Sequence, residues 1–190
     1  NCFGQSDGQV SLTISGGTPP FLQNWFGFNS NALSSGIFFY EITDSNNCLL
    51  TDSVIITQPN SPISVTTSVT NVTCNGGNNG TAQVNVFGGT HPYNIIWQNS
   101  NPNQLSAGYN VFLVSDNNQC IYVDSVLIFE PPEITVSEII LDVSCNGGID
   151  GEVNLIISGG TQPYNIDWGI YNNLSLSIGS YIYQVYDVNS

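Results

Sequence analysis

No lysine and no arginine occur in these 190 residues, against 14 aspartates and glutamates, for a formal charge of −14. Average proteins are about one quarter charged, with both signs present, so the missing cations are a property of the chain and not a fluctuation. Their absence excludes nucleic-acid binding, because nothing neutralises phosphates. It excludes attraction to anionic membranes on the same ground. Self-repulsion favours a soluble surface that does not stick to itself. No Lys–Asn cross-link can form, which leaves disulfides as the covalent staples, and trypsin has nowhere to cut. Long apolar runs are missing too: no stretch suffices to span a bilayer, and no basic segment leads into an apolar one. Histidine is down to His91.

What is present is a phrase written three times. Copy 1 carries Cys2, Gly16-Gly17-Thr18, Pro20-Phe21, Trp25, Gly36, Asp44 and Cys48. Copy 2 repeats it as Cys74, Gly88-Gly89-Thr90, Pro92-Tyr93, Trp97, Gly108, Asp116 and Cys120. Copy 3 has Cys145, Gly159-Gly160-Thr161, Pro163-Tyr164, Trp168, Gly179 and Asp187. The tryptophans stand 72 and 71 residues apart. A fixed period of this kind marks a modular array. Such arrays serve reach, spacing and multivalency more than chemistry.

The cysteines follow the same period. Cys2 and Cys48 are 46 residues apart, as are Cys74 and Cys120. The spacing predicts the pairs Cys2–Cys48 and Cys74–Cys120, and leaves Cys145 with a partner at position 191, outside the chain. The odd count of five then reflects a segment cut from something longer, and Cys145 is no reactive thiol. Regular cysteines without a histidine cluster read as disulfides of an oxidising compartment and not as zinc ligands. Closing a loop of this length stabilises by roughly 4 kcal/mol in the chain-entropy treatment, which is useful to a small module with a modest core.

Strands are legible from period-2 alternation. Val10, Leu12 and Ile14 alternate with polar residues in copy 1, as do Ala82, Val84 and Val86, and Val153, Leu155 and Ile157. Each run ends in Gly-Gly-Thr-x-Pro, a turn in which glycine takes positive φ and proline fixes its own. A second strand runs through the aromatic residue to the tryptophan, and a third alternates as Phe38, Tyr40, Ile42 and as Tyr181, Tyr183, Val185. A last strand opens at Cys120 and runs to Phe129. Further strands are expected from Ile63 to Val69 and from Ile134 to Leu141, and no helix is expected. With 41% apolar residues in regular alternation, the many Asn, Ser, Thr and Gly do not indicate disorder. The fold class is all-β: tandem antiparallel β-sandwich modules, immunoglobulin-like or PKD-like. Joints at Gln58-Pro59 and Glu130-Pro131-Pro132 divide the chain into modules 1–59, 60–131 and 132–190. The first lacks its opening strand and the third its closing strand. Short proline joints favour an elongated, semi-rigid rod, each module adding roughly 30 Å.

The block Val72-Thr-Cys-Asn-Gly-Gly-Asn-Asn-Gly-Thr81, followed by a strand, Gly-Gly-Thr-x-Pro-Tyr, Trp, Leu-Ser-Ala-Gly and Asp-x-x-x-Cys, resembles the SprB repeat. Val143-Ser-Cys-Asn-Gly-Gly-Ile-Asp-Gly151 resembles it equally, while copy 1 departs with Cys2-Phe-Gly-Gln, and copy 2 with Asn110 in place of an aromatic. Those repeats occur in tandem in very large surface proteins of the Bacteroidota, among them gliding-motility adhesins. The resemblance implies a filament on the outer cell surface, exported by the type IX secretion system. It also occurs as a stalk in other secreted proteins, so it implies fold more firmly than function.

No catalytic residue stands out from the array. His91 falls where the other copies have Pro19 and Gln162, and reads as a loop tip. The recurring carboxylates Asp44, Asp116, Asp187, Asp52 and Asp124 read as turn hydrogen-bonders. Glu41, Glu152 and Asp167 do not recur, and could serve a glycosidase only if folding joined two of them. No cofactor is required. Calcium is the candidate metal, with Asp44, Asn46, Asp116 and Asn118 as oxygen ligands beside a turn, although no EF-hand string is present. Trp25, Trp97 and Trp168 read as core aromatics in preference to a sugar-stacking platform. Asp52-Ser53-Val54 and Asp124-Ser125-Val126 are similar to the O-glycan acceptor of Bacteroidota, marking Ser53 and Ser125; Asn71, Asn79 and Asn173 sit in weaker N-glycan sequons.

The expected function is structural and adhesive: a segment of a long surface filament working by multivalent weak contact. Its expected partners are a surface polysaccharide or substratum and neighbouring copies of the repeat. The alternatives are a non-catalytic stalk or a carbohydrate-binding module of a secreted enzyme.

Overall fold

A computed structural model describes residues 2–98 and 100–189. It is all-β, with no helix among the described residues. Copy 1 supplies β1 (Leu22–Asn24), β2 (Gly36–Thr43) and β3 (Leu49–Ile56). Then come β4 (Ser64–Thr70), β5 (Thr81–Phe87), β6 (Asn94–Trp97), β7 (Gly108–Ser115) and β8 (Ile121–Ile128). Copy 3 supplies β9 (Thr135–Leu141), β10 (Glu152–Ser158), β11 (Asn165–Asp167) and β12 (Gln184–Tyr186). Copy 2 is the fullest: a two-stranded sheet β4-β5 and a three-stranded sheet β6-β7-β8. Copy 1 shows the three-stranded half, β1-β2-β3, and copy 3 shows β10-β9 and β11-β12. Among the described residues no sheet closes into a barrel, and the pairs β1/β2, β2/β3, β9/β10 and β11/β12 are antiparallel, as β-sandwich modules require.

Packing groups the chain into two compact units. One comprises residues 1–66, 84–96 and 112–124, the other 67–83, 97–111 and 125–190. One core cluster of the first is Trp25, Leu33, Phe38, Tyr40 and Ile42, with Val10, Leu12, Ile14, Phe21, Val54 and Ile56 packed on it, and Phe112 and Val114 of the same unit are fully buried too. The alternation in β2 explains the set: Phe38, Tyr40 and Ile42 point inward while Ile37 and Phe39 are exposed. The ladder places Phe38 opposite Val54 and Tyr40 opposite Asp52. The second unit buries Val72, Ala82, Leu105, Val126, Ile128 and Leu176.

Two expected strands are not full ladders. Residues 9–14 keep their inward Val10, Leu12 and Ile14, yet carry no strand assignment. In copies 2 and 3 the equivalent strands β5 and β10 lie against β4 and β9, whereas among the described residues no such strand pairs with residues 9–14. The run through Tyr181, Tyr183 and Val185 shortens to the three residues of β12 for a related reason. In copy 2 the equivalent β7 is flanked on both sides, whereas β12 pairs with β11 alone. Alternation encodes which side chains face inward; the ladder also needs a neighbour.

Candidate functional site

The repeated signature builds one scaffold three times. The amides of Thr18, Thr90 and Thr161 donate to the Oδ2 atoms of Asp44, Asp116 and Asp187, at 3.0, 2.9 and 2.9 Å. The amides two residues on, those of Asn46, Asn118 and Asn189, donate to the Oδ1 atoms of the same aspartates at 2.9, 2.8 and 2.9 Å. The Cys48 and Cys120 amides donate to Oδ1 of Asp44 and Asp116. The return bond is backbone: Ser45, Asn117 and Val188 donate to the carbonyls of Thr18, Thr90 and Thr161. Each aspartate therefore pins the Gly-Gly-Thr turn to the turn before the closing cysteine. A short side chain with two acceptor oxygens is what that geometry needs.

These bonds account for Asp44, Asp116 and Asp187; Asp52 and Asp124, expected to serve turns as well, lie instead within β3 and β8 and accept the Tyr40 and Tyr122 hydroxyls. Both oxygens of Asp44 and of Asp116, half of the calcium candidates, already accept backbone amides. Asn46 and Asn118, the other half, turn their side-chain amides to the Thr18 and Thr90 hydroxyls. Among the described residues, no group of three His, Cys, Asp or Glu is gathered closely enough to hold a metal ion.

The amides of Cys48 first, then those of Thr18 and Asn46, hold the Asp44 carboxyl below its ordinary value. A folded-state value below the unfolded one gives stability that is present above about pH 3.9 and is lost as pH falls through the lower folded value. Thermal midpoints of the chain and of Asp44→Asn are therefore expected to differ near neutrality and to converge as pH falls through the lowered folded value. Acid also relieves the self-repulsion of the other carboxylates, so the difference between the two proteins carries the sign. A gap that stays constant from pH 7 to pH 2 would contradict the assignment.

The opening loops are pinned in a way the sequence did not announce. Five residues after each opening cysteine stands Asp7, Asn79 or Asp150, whose side chain accepts the amide of Cys2, Thr73 or Ser144. Ser144 also holds the Asp150 carboxyl below its ordinary value. The joints reach the same loops: Gln58 Oε1 accepts the Gly4 amide at 2.8 Å, and Glu130 Oε2 accepts that of Gly76 at 2.7 Å. The one signal in the sequence is a Gln or Glu directly before each proline joint, and its partner lies 54 residues back.

The disulfide expectation needs correction. Cys2 is bonded to Cys120, with their Cα atoms 5.5 Å apart, while Cys48, Cys74 and Cys145 are free thiols. The expected Cys2–Cys48 and Cys74–Cys120 pairs are not formed. Equal spacing fixes the period of the cysteines but not which copy supplies the partner. A bond needs Cα atoms within about 4.4–6.8 Å, and folding brings that approach across copies.

Trp25 is buried and lies 5.0 Å from Tyr40, centroid to centroid. Trp168 sits at the same distance from Tyr183, and Trp168 and Trp97 are half-buried. His91 is exposed and stands edge-on to Tyr93. Ser53 is exposed on β3 opposite Phe39, and Ser125 is half-buried on β8. Of the non-recurring acids, Glu41 lies on β2, Glu152 on β10 and Asp167 on β11, where Asp167 accepts the Gly169 amide.

A hollow of about 370 Å³ lies in copy 3 and is lined by Trp168, Tyr181, Tyr183, Glu138, Gly151 and Leu176 among others. Aromatics beside acids resemble a sugar site, but copy 2 gives a plainer reading. A Cβ on Gly80, the counterpart of Gly151, would meet Ile128 of β8 at 2.9 Å. The hollow takes the place that the closing strand fills in copy 2.

A family model described as the SprB repeat matches residues 1–25, 66–102 and 137–169, once in each copy and together half of the chain. No curated protein and no solved structure gives a match.

Proposed function

The chain belongs to the SprB repeat family, and from that premise we propose that it is an adhesive repeat region of a bacterial surface filament. The observation that carries the reading is the threefold family match, with one Asp-centred scaffold under each copy. A repeat family of this structural kind supplies spacing and area, and offers every copy the same weak contacts. Adhesion then comes from effective concentration, so affinity grows with the number of copies engaged at once. The partner is an uncharged or cationic surface polymer, since a chain of charge −14 repels polyanions. Gliding over a substratum and export by the type IX route are the finer parts of the proposal, and they rest on the kinship alone.

Two measurements test it. Antibodies raised against the chain are expected to label intact, unpermeabilised cells of the source organism. Beads carrying the chain at graded density are expected to hold to a polysaccharide-coated surface steeply once several chains can engage, with soluble chain competing poorly. Labelling confined to permeabilised cells would defeat the surface assignment. Capture that is independent of density, and blocked by equimolar soluble chain, would replace multivalent contact with a single tight site.

A further inference from the structure

We propose that the disulfides of this array run between successive repeats, the opening cysteine of one copy bonding the closing cysteine of the next. Cys2 opens copy 1 and Cys120 closes copy 2, and these two are joined. Cys74 opens copy 2 and faces the corresponding place in copy 3. Its Sγ lies 3.7 Å from the carbonyl oxygen of Asn189, and the Asn189 side-chain amide donates to the Thr73 carbonyl at 3.0 Å. The opening loop of copy 2 is thus seated on the closing turn of copy 3. A hollow of about 270 Å³ there is lined by Cys74, Asn75 and Asp187 among others.

That turn already has the form it takes before Cys48 and Cys120. Asp187 accepts the Thr161 and Asn189 amides as Asp44 and Asp116 accept theirs. The closing cysteine follows the aspartate by four residues in copies 1 and 2, which sets the third at position 191. Position 191 is 117 residues from Cys74, against 118 between the bonded pair. The same rule assigns partners to the other two thiols wherever further copies adjoin: Cys48 takes the opening cysteine of the copy before, and Cys145 the closing cysteine of the copy after.

The bond forms by exchange with a disulfide oxidant, a small-molecule or protein cystine. The Cys74 thiolate attacks one sulfur of the oxidant and expels a thiolate. The second cysteine, as thiolate, attacks the Cys74 sulfur of that mixed disulfide and releases the other half. The two cysteine thiols lose two electrons and two protons, and the oxidant leaves as two thiols.

Connectivity can be read directly, whatever the surface binds. Cleavage at Asp and Glu places all five cysteines on separate peptides. The chain is refolded in reduced and oxidised glutathione, its free thiols are blocked with iodoacetamide, and the peptides are mapped without reductant. The Cys2 peptide is expected linked to the Cys120 peptide, with Cys48, Cys74 and Cys145 alkylated. A Cys2–Cys48 or Cys74–Cys120 link overturns the proposal. The second arm adds one cysteine after Ser190. Cys74 is then expected to lose its alkylation and appear linked to the added residue, with Cys145→Ser leaving that link intact. An added cysteine bonded to Cys145, or left alkylated, overturns it as well.

Discussion

Serine at Cys2 or at Cys120 is expected to lower the stability of the chain by about 4–5 kcal/mol, far more than serine at any other cysteine. The cross-link closes a loop of 118 residues, and the unfolded chain loses more freedom to a longer closure. For a protein of this size the thermal midpoint should fall by roughly 10–15 °C. Cys48→Ser and Cys74→Ser serve as the contrast. Both thiols are free, Cys48 exposed and Cys74 half-buried, so each change should stay within about 0.5 kcal/mol. Pairing within copies would erase the contrast, with Cys48→Ser as costly as Cys2→Ser and Cys74→Ser as costly as Cys120→Ser. Urea unfolding of the four variants, each oxidised and alkylated beforehand, separates the two outcomes.

Alanine at Gly88 or Gly159 is expected to cost about 3 kcal/mol or more, for two reasons that add. Both glycines have left-handed backbone, with φ of 69° and 79°. A Cβ there would also stand 1.9 Å from the carbonyl oxygen of Pro62 or of Glu133, which is backbone that no rotamer change can move aside. Gly16 is the matched control: its φ is 79°, and a Cβ would meet nothing within 4 Å. Gly16→Ala should therefore show only the left-handed penalty, about 1–2 kcal/mol. Equal losses at all three positions in thermal or urea unfolding would show that conformation, and not the close approach, limits the turn.

Much of the fold is legible in local pattern. The Gly-Gly-Thr-x-Pro turn, the inward Phe38, Tyr40 and Ile42, and the strands β4, β8 and β9 follow from alternation and turn chemistry, and they stand nearly where expected. Asp44, Asp116 and Asp187 are legible as turn-builders because an Asx side chain reaches backbone amides a few residues away. What local pattern does not give is partnership at a distance. Val10 to Ile14 alternates as well as β5 does, yet forms no ladder, because a ladder belongs to two strands. Cys2 has the same 46-residue neighbour as Cys74, yet bonds across copies, since repetition makes each cysteine's surroundings identical and hides which of several equivalent partners is near. The joints Gln58 and Glu130 look like punctuation, and prove to be acceptors for loop amides 54 residues upstream.

The Cys2–Cys120 bond also decides how this part of the chain answers to tension. A pull applied through residues outside the loop passes from sulfur to sulfur and bypasses everything between them. The 118 intervening steps hold about 400 Å of extended contour, and none of it can be drawn out while the bond stands. Pulled at both ends, this segment is a tether of nearly fixed length, with the give confined to residues outside the loop. In a reducing environment the same tether would yield that stored length, and its stiffness would then be set by strand pairing alone.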